Sequence, residues 1–212
     1  MSNSHDSRKS LVCFGDSITE GEGSLPQDKW TLFLQELVDK AHPGTYKVHN
    51  CGVGGDTTAI GIDRIEQDVL PLLPGLVLVQ FGINDAYVFP WSRLSRLSLA
   101  EYERNLGEMV RILRKRGGSV ILIRNHTNCC NHPQGNGRTF LRNFAPFDRA
   151  LCNMAARRRI RMIDLPDLME QAGLTAGDMV SDDGLHLSPE GNRHYAELVF
   201  IGLKRLKRIF SS

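Results

Sequence analysis

Short runs of residues with high strand propensity alternate along the chain with longer amphipathic segments. The central runs are almost continuously apolar, which is typical of strands buried on both faces of a parallel sheet. The predicted strands are Leu11–Phe14, Tyr46–Asn50, Leu76–Phe81, Val120–Ile123 and Arg161–Ile163.

The segments between these runs show the three- and four-residue spacing of apolar positions that predicts helices. In one of them, Tyr102, Leu106 and Met109 fall on a single apolar stripe. A last helix is predicted to begin at Ser188-Pro189, because Ser is a favoured N-cap and Pro is favoured in the first turn. The other predicted helices are Trp30–Lys40, Thr58–Leu70, Leu99–Arg116 and Phe140–Arg158.

Five strands joined by helical crossovers predict an α/β fold whose parallel sheet is covered on both faces. In such sheets, ligands bind beyond the carboxyl ends of the strands. Ser17, Gly55 and Asn84 each come shortly after a predicted strand. We therefore expect these three residues to meet at one edge of the sheet.

The composition fits one globular domain of 212 residues, with 41% hydrophobic and 24% charged residues. A net charge of +2 argues against a nucleic-acid partner, and the absence of a long apolar run argues against integral membrane association. We predict that residues 1–9 are poorly ordered and that residues 10–212 form the domain. The polar start of the chain lacks the apolar stretch of a signal peptide and predicts a cytoplasmic protein.

The five cysteines are an odd number and cannot all pair within the chain. Reduced thiols in a reducing compartment are the simplest interpretation. His126, Cys129, Cys130 and His132 form a cluster that suggests zinc. Because adjacent cysteines are an awkward pair for one tetrahedral ion, we predict no metal site and no cofactor.

Four short segments carry the groups that a serine esterase requires. They are Gly15-Asp16-Ser17, Gly54-Gly55-Asp56, Gly82-Ile83-Asn84-Asp85 and Asp183-Gly184-Leu185-His186. A serine hydroxyl is a weak nucleophile until a base removes its proton. His186 is the candidate base for Ser17, and Asp183 is the candidate carboxylate that orients it. Asp182 is the adjacent competitor for that second role.

Two of these segments offer hydrogen-bond donors for an oxyanion. The N–H of Gly55 is sterically open because glycine has no side chain, and the side-chain amide of Asn84 is an uncharged donor. With the backbone N–H of Ser17 they would form an oxyanion hole. Turn chemistry alone explains either segment, but not their occurrence after two predicted strands. We interpret Asp16 and Asp85 as structural residues that hold backbone N–H groups in their own loops.

These segments resemble the sequence blocks of the SGNH hydrolases, also called the GDSL lipase/esterase family. The matching residues are Ser17, Gly55, Asn84 and His186, and the family's Asp-x-x-His spacing selects Asp183. The resemblance spans residues 11–192. It implies a flavodoxin-like three-layer α/β/α sandwich with a five-stranded parallel sheet. It also implies a cofactor-independent lipase, esterase or other acylhydrolase acting on a small-molecule acyl ester.

Other functions remain open on the sequence. A thioesterase or an acyltransferase would use the same residues, and a catalytically silent binding module would keep the same fold. Thr19 replaces the second glycine of the α/β-hydrolase nucleophile elbow, which argues against that fold. The glycines of residues 15–23 lack the endings of the P-loop and of the dinucleotide-binding fingerprint.

Two loops remain to be placed. The segment from Ala86 to Ser98 carries Tyr87, Phe89 and Trp91, which we predict as substrate-pocket residues, although an aromatic loop packed on the surface is an equal alternative. The long polar loop from Asn125 to Arg138 has no assigned role, and long loops without regular structure are often functional. The sequence gives no indication of whether the protein is a monomer or an oligomer.

Overall fold

A computed structural model describes residues 8–206. These residues form a sheet of five parallel strands in the order β2-β1-β3-β4-β5, which is the flavodoxin-like order. The strands are β1 (Lys9–Gly15), β2 (Tyr46–Gly52), β3 (Gly75–Gln80), β4 (Gly118–Arg124) and β5 (Arg161–Asp164). All five predicted strands are confirmed, with ends that differ by up to two residues.

The predicted helices are also confirmed, and four short helices are added. The helices are α1 (Ser17–Glu20), α2 (Trp30–Ala41), α3 (Thr58–Asp68), α4 (Ile83–Ala86), α5 (Leu99–Lys115), α6 (Phe140–Arg157), α7 (Leu165–Ala172), α8 (Ala176–Met179) and α9 (Pro189–Arg205). The sequence pattern missed α1, α4, α7 and α8. Three of these are a single turn long, too short to show a helical period.

The helices cover both faces of the sheet. Helix α2 packs against α9, while α3 packs against α5 and α5 against α6. Right-handed crossovers place these two groups on opposite faces, which confirms the three-layer sandwich. Leu11, Leu78 and Ile121 of the central strands are buried between the layers.

The strand register brings three chain segments to the same edge. Gly15 at the end of β1 lies opposite Gly52 of β2 and Gln80 of β3. The residues that follow these strands therefore emerge at one level, at the point where the strand order reverses. This is where an open α/β sheet binds its ligands, and Ser17, Gly55 and Asn84 lie there.

The predicted domain boundaries lie near the ends of the chain, and at the C-terminal end residues 207–212 lie outside the described residues. Residues 1–7, most of the segment predicted to be poorly ordered, lie outside the described residues, and Lys9 already belongs to β1, paired with Tyr46. Across residues 8–206, the helices all fall short of the length and apolar character needed to cross a membrane. Each of the five cysteines is free.

Candidate active site

Ser17 is held at the start of α1, directly after β1. Asp16 caps this helix, since its Oδ1 accepts the N–H of Ile18 at 3.1 Å. The indole Nε1 of Trp30 donates to the Ile18 carbonyl at 2.8 Å and fixes the helix from α2. Because Ser17 is the first helical residue, its N–H has no acceptor within the helix.

The Ser17 hydroxyl lies 2.9 Å from Nε2 of His186. On the other side of the imidazole, Nδ1 lies 2.5 Å from Oδ2 of Asp183. The second oxygen of Asp183 accepts the backbone N–H groups of Leu185 and His186 at 2.8 and 2.9 Å. Asp183, and not the adjacent Asp182, is therefore the carboxylate bonded to His186.

Electrostatics fix the direction of these hydrogen bonds. Partial burial acts to raise the pKa of Asp183, but the hydrogen bonds from His186 and from the Leu185 and His186 backbone outweigh it and lower the pKa to about 2. Asp183 is thus an ionised acceptor at neutral pH, and Nδ1 of His186 carries the proton. In the neutral ring Nε2 then has a free lone pair, which accepts the Ser17 hydroxyl.

Two more of the predicted residues line the same cleft as Ser17 and His186. Gly55 adopts a positive φ of 78°, a conformation that glycine tolerates best. The Asn84 amide donates one hydrogen to the Asp56 carbonyl at 3.0 Å, which leaves its second hydrogen available. The cleft has a volume of about 730 Å³ and brings together Ser17, Gly55, Asn84, Leu185 and His186.

Arg96 and Arg64 connect the segments around the cleft through hydrogen bonds. The sequence had assigned a role to neither residue. Arg96 donates to the Gly55 carbonyl at 2.8 Å and also lines the cleft. Arg64 of α3 donates to the Gly15 carbonyl at 2.9 Å and to Oδ2 of Asp56 at 2.6 Å. Both cations therefore fix the loop that contains Gly55.

The two aspartates interpreted as structural are fully buried. Asp16 holds an N–H of its own segment, as predicted. Asp85 accepts from the N–H and the hydroxyl of Thr58, at 3.0 and 2.5 Å, so it also anchors the start of α3. Burial raises the pKa of Asp16 to about 7 and the pKa of Asp85 to about 6.

The aromatic residues of the loop after α4 divide into two groups. Tyr87 and Phe89 line the cleft. Trp91 stacks on Phe89, with ring centroids 4.9 Å apart, and remains 82% exposed. Trp91 is outside the residues that line the cleft, which corrects its placement in the pocket: its ring lies against Phe89 and faces solvent instead.

The histidines and cysteines of the loop after β4 make separate contacts. Nε2 of His126 lies 2.9 Å from the Leu185 carbonyl, and Cys130 Sγ lies 3.2 Å from Nε2 of His132. Cys129 is exposed. Throughout residues 8–206, no three His, Cys, Asp or Glu side chains are grouped so that they would hold a metal ion.

Comparison with known proteins gives a consistent result. The model of the GDSL-like Lipase/Acylhydrolase family matches residues 13–194. Esterase TesA of Pseudomonas aeruginosa is 27% identical over 93% of this chain and 89% of its own. An arylesterase of Vibrio mimicus is 25% identical over 94% of this chain and 90% of its own. Among solved structures, a lipase/acylhydrolase from Enterococcus faecalis superimposes with a TM-score of 0.76, covering 96% of this chain and 100% of that one at 24% identity.

Proposed function

The chain belongs to the GDSL-like lipase/acylhydrolase family and is a carboxylic ester hydrolase, and from this premise we propose that Ser17 is its nucleophile, His186 its general base and Asp183 the carboxylate that orients the base. The hydrogen-bonded series from Ser17 through His186 to Asp183 is the observation that carries the proposal. Its three residues come from two chain segments far apart in sequence, and the series opens into the cleft.

The proposed acylation step begins when Ser17 Oγ attacks the carbonyl carbon of the ester. Nε2 of His186 takes the hydroxyl proton as the new C–O bond forms. The imidazolium is stabilised by the ionised Asp183, which stays unprotonated since its pKa is about 2. When the tetrahedral intermediate collapses, Nε2 returns the proton to the leaving alcohol.

The carbonyl oxygen becomes negative in this intermediate. We assign it three donors: the N–H groups of Ser17 and Gly55 and the second amide hydrogen of Asn84. Removing one donor of this kind typically costs about 2.7–4 kcal/mol of transition-state stabilisation. The donors are uncharged and held in place by the surrounding loops, so little reorganisation is needed when the charge develops.

Deacylation reverses the roles. A water molecule takes the place of the alcohol and attacks the acyl carbonyl carbon while Nε2 of His186 takes its proton. When this second tetrahedral intermediate collapses, the bond to Ser17 Oγ breaks, Nε2 returns the proton to Oγ, and the acyl group leaves as a carboxylic acid. The proposed mechanism needs no metal ion and no cofactor. A thioester substrate, or an alcohol in place of the water, would use the same groups, and hydrolysis of oxygen esters is the proposal because the esterase relatives match most of the chain.

The test compares matched p-nitrophenyl esters and acyl-thiol esters, from acetyl to lauroyl, on the wild type and on Ser17→Ala. We expect the oxygen esters to be hydrolysed faster than the thioesters. The acyl chain length that is hydrolysed fastest indicates the size of the acyl pocket. Faster turnover of the thioesters would favour a thioesterase. Wild-type rates from Ser17→Ala would remove Ser17 from the mechanism.

We also propose that the enzyme works in the cytoplasm, where its five free cysteines would stay reduced. Fractionation of the native host followed by detection of the protein would test this. Recovery of the protein outside the cytoplasm would reject the proposal without affecting the chemistry assigned to Ser17.

A further inference from the structure

The first residues of the loop after β4 hold the chain segment that carries Asp183 and His186. We call residues 125–130 the support segment and residues 181–187 the acid–base loop. Two hydrogen bonds join them: the ring Nε2 of His126 lies 2.9 Å from the Leu185 carbonyl, and the Cys129 N–H donates to the Gly184 carbonyl at 2.9 Å. Both acceptors lie between Asp183 and His186 in the chain.

The contact made by His126 has a fixed direction. A backbone carbonyl only accepts hydrogen bonds, so Nε2 of His126 must carry the proton. Nδ1 has no hydrogen-bond partner within residues 8–206, and the residue is 1% exposed. The ring packs against the ring of Tyr195 of α9 in a T-shaped arrangement, with ring centroids 6.0 Å apart. The ring therefore has one polar contact, and that contact is to the acid–base loop.

Burial, with a smaller contribution from the nearby His186, lowers the pKa of His126 to about 4, against the opposing effects of the Leu185 carbonyl and Asp183. The ring is therefore neutral near pH 7. Because His126 is neutral, it places no second positive charge beside the imidazolium that forms at His186 during catalysis.

The hydrogen bond from the Cys129 N–H lies in a tightly packed part of the structure. Gly184 has a positive φ of 73°, and a side-chain carbon added to it would lie 3.1 Å from the Cys130 nitrogen and 3.2 Å from the Cys129 carbonyl carbon. The turn between Asp183 and His186 therefore lies directly against the backbone of the support segment. Movement of either segment would displace the other.

We propose that His126 is a positioning residue for the reaction: its Nε2–H holds the Leu185 carbonyl and thereby sets the place of His186 relative to Ser17. This inference rests on the proposed function, since it concerns the same base. Hydrogen bonds within the acid–base loop, such as that from the Ser181 N–H to the His186 carbonyl at 2.8 Å, shape the loop itself. His126 contributes the side-chain contact that joins this loop to the end of β4.

Four variants separate this role from a contribution to folding. His126→Phe keeps an aromatic ring and removes the donor. His126→Gln places an amide N–H within reach of the Leu185 carbonyl, whereas His126→Asn is a similar amide with a shorter reach. His132→Phe is the matched control, because His132 lies in the same loop, is exposed and contacts Cys130.

We expect His126→Phe and His126→Asn to lower kcat by about 10- to 100-fold, since small displacements of a catalytic group have large effects on rate. KM should stay within about threefold, because His126 does not line the cleft. The rate at which a fluorophosphonate labels Ser17 should fall by the same factor as kcat. His126→Gln should recover most of both rates, and His132→Phe should match the wild type.

A second readout does not depend on turnover. The proton between His186 Nδ1 and Asp183 should give a low-field NMR signal, and this signal should broaden or shift in His126→Phe and His126→Asn but not in His126→Gln. If Ser17→Ala hydrolyses esters at the wild-type rate, the proposed function fails, and this signal still tests the positioning of His186.

Two results would overturn the inference. One is a wild-type kcat in His126→Asn with an unchanged His186 signal. The other is an equal loss of kcat in His126→Gln and His126→Asn together with an equal loss of melting temperature, which would make His126 a packing residue. If His126→Phe does not fold, the comparison of His126→Gln with His126→Asn alone decides whether His126 positions His186.

Discussion

The guanidinium group of Arg96 donates a hydrogen bond to the carbonyl oxygen of Gly55 at 2.8 Å. The loop after α4 thereby holds the loop after β2, and it does so at the residue whose N–H is proposed to bind the oxyanion. Arg96 also lies over the ring of Phe89, with its central carbon 5.5 Å from the ring centroid. One side chain thus joins a wall of the cleft to the loop of one proposed oxyanion donor, Gly55.

Removing the Arg96 guanidinium should weaken catalysis through Gly55. A hydrogen bond to a charged group contributes about 1.5–3 kcal/mol, so we expect Arg96→Met to lower kcat/KM by at least about 10-fold. Arg93→Met is the matched control, because Arg93 donates to the Gly135 carbonyl at 2.8 Å and does not line the cleft. Steady-state kinetics on one p-nitrophenyl ester measures both, and equal effects would contradict the role given to Arg96.

The neighbouring aspartates of the acid–base loop should differ sharply. Asp183→Asn removes the charge that fixes the His186 tautomer, and kcat should fall by about 10⁴-fold, as in other serine triads. Asp182→Asn changes an exposed residue next to it and should keep kcat within about twofold. A large loss of kcat in Asp182→Asn with a small loss in Asp183→Asn would show that Asp182 is the carboxylate that orients His186.

The buried Asp16 should give the protein a measurable dependence of stability on pH. Burial raises its pKa in the folded state to about 7, above the ordinary value of about 3.9, so the folded protein binds this proton more strongly than the unfolded chain. The stability that this group contributes is fully present below about pH 4 and is lost as the pH rises towards 7.

Asp16→Asn cannot ionise, and Asn is also a good helix cap. The difference in melting temperature, variant minus wild type, should therefore increase from about pH 5 to about pH 8. Asp85 is present in both proteins, and its charge is one of the causes that raise the pKa of Asp16. A flat line for Asp16→Asn over this range would show that Asp16 is ionised in the folded protein.

Phe89 and Trp91 stack on one another, yet only Phe89 lines the cleft. We expect Phe89→Ala to raise KM for p-nitrophenyl butyrate by about 5- to 30-fold, the effect of about 1–2 kcal/mol of lost apolar contact. Trp91→Ala should change KM by less than about twofold, since the ring is 82% exposed. A larger change in KM for Trp91→Ala would show that Trp91 contributes to the substrate pocket.

The sequence pattern predicted the fold well because the central strands and long helices carry strong periodic signals. Leu76–Phe81 shows the continuous apolar character of a buried parallel strand, and Leu99–Arg116 shows an apolar stripe that matches α5. The single-turn helices α1, α4 and α8 were missed because they owe their shape to the loops around them. Asp16, for example, caps α1 through one local hydrogen bond.

The candidate site was predictable only where its residues fall in recognisable segments. Ser17, Gly55, Asn84, Asp183 and His186 were predicted from those segments. The structure places all of them but Asp183 around one cleft, and Asp183 is bonded to His186 behind it. Arg96 and His126 were not assigned because each acts on a backbone carbonyl, of Gly55 or Leu185. Every residue offers such a carbonyl, so these contacts leave no pattern in the sequence and appear only when the loops are folded together.

Ser17 as the nucleophile is the central claim, and labelling with a fluorophosphonate tests it most directly. The reagent forms a covalent adduct with a serine that is activated by a base, and intact-mass and peptide mass spectrometry locate the adduct. We predict one adduct per chain, on Ser17, in the wild type and none in Ser17→Ala. An unlabelled wild type that still hydrolyses esters, or an adduct of equal yield in Ser17→Ala, would contradict the account.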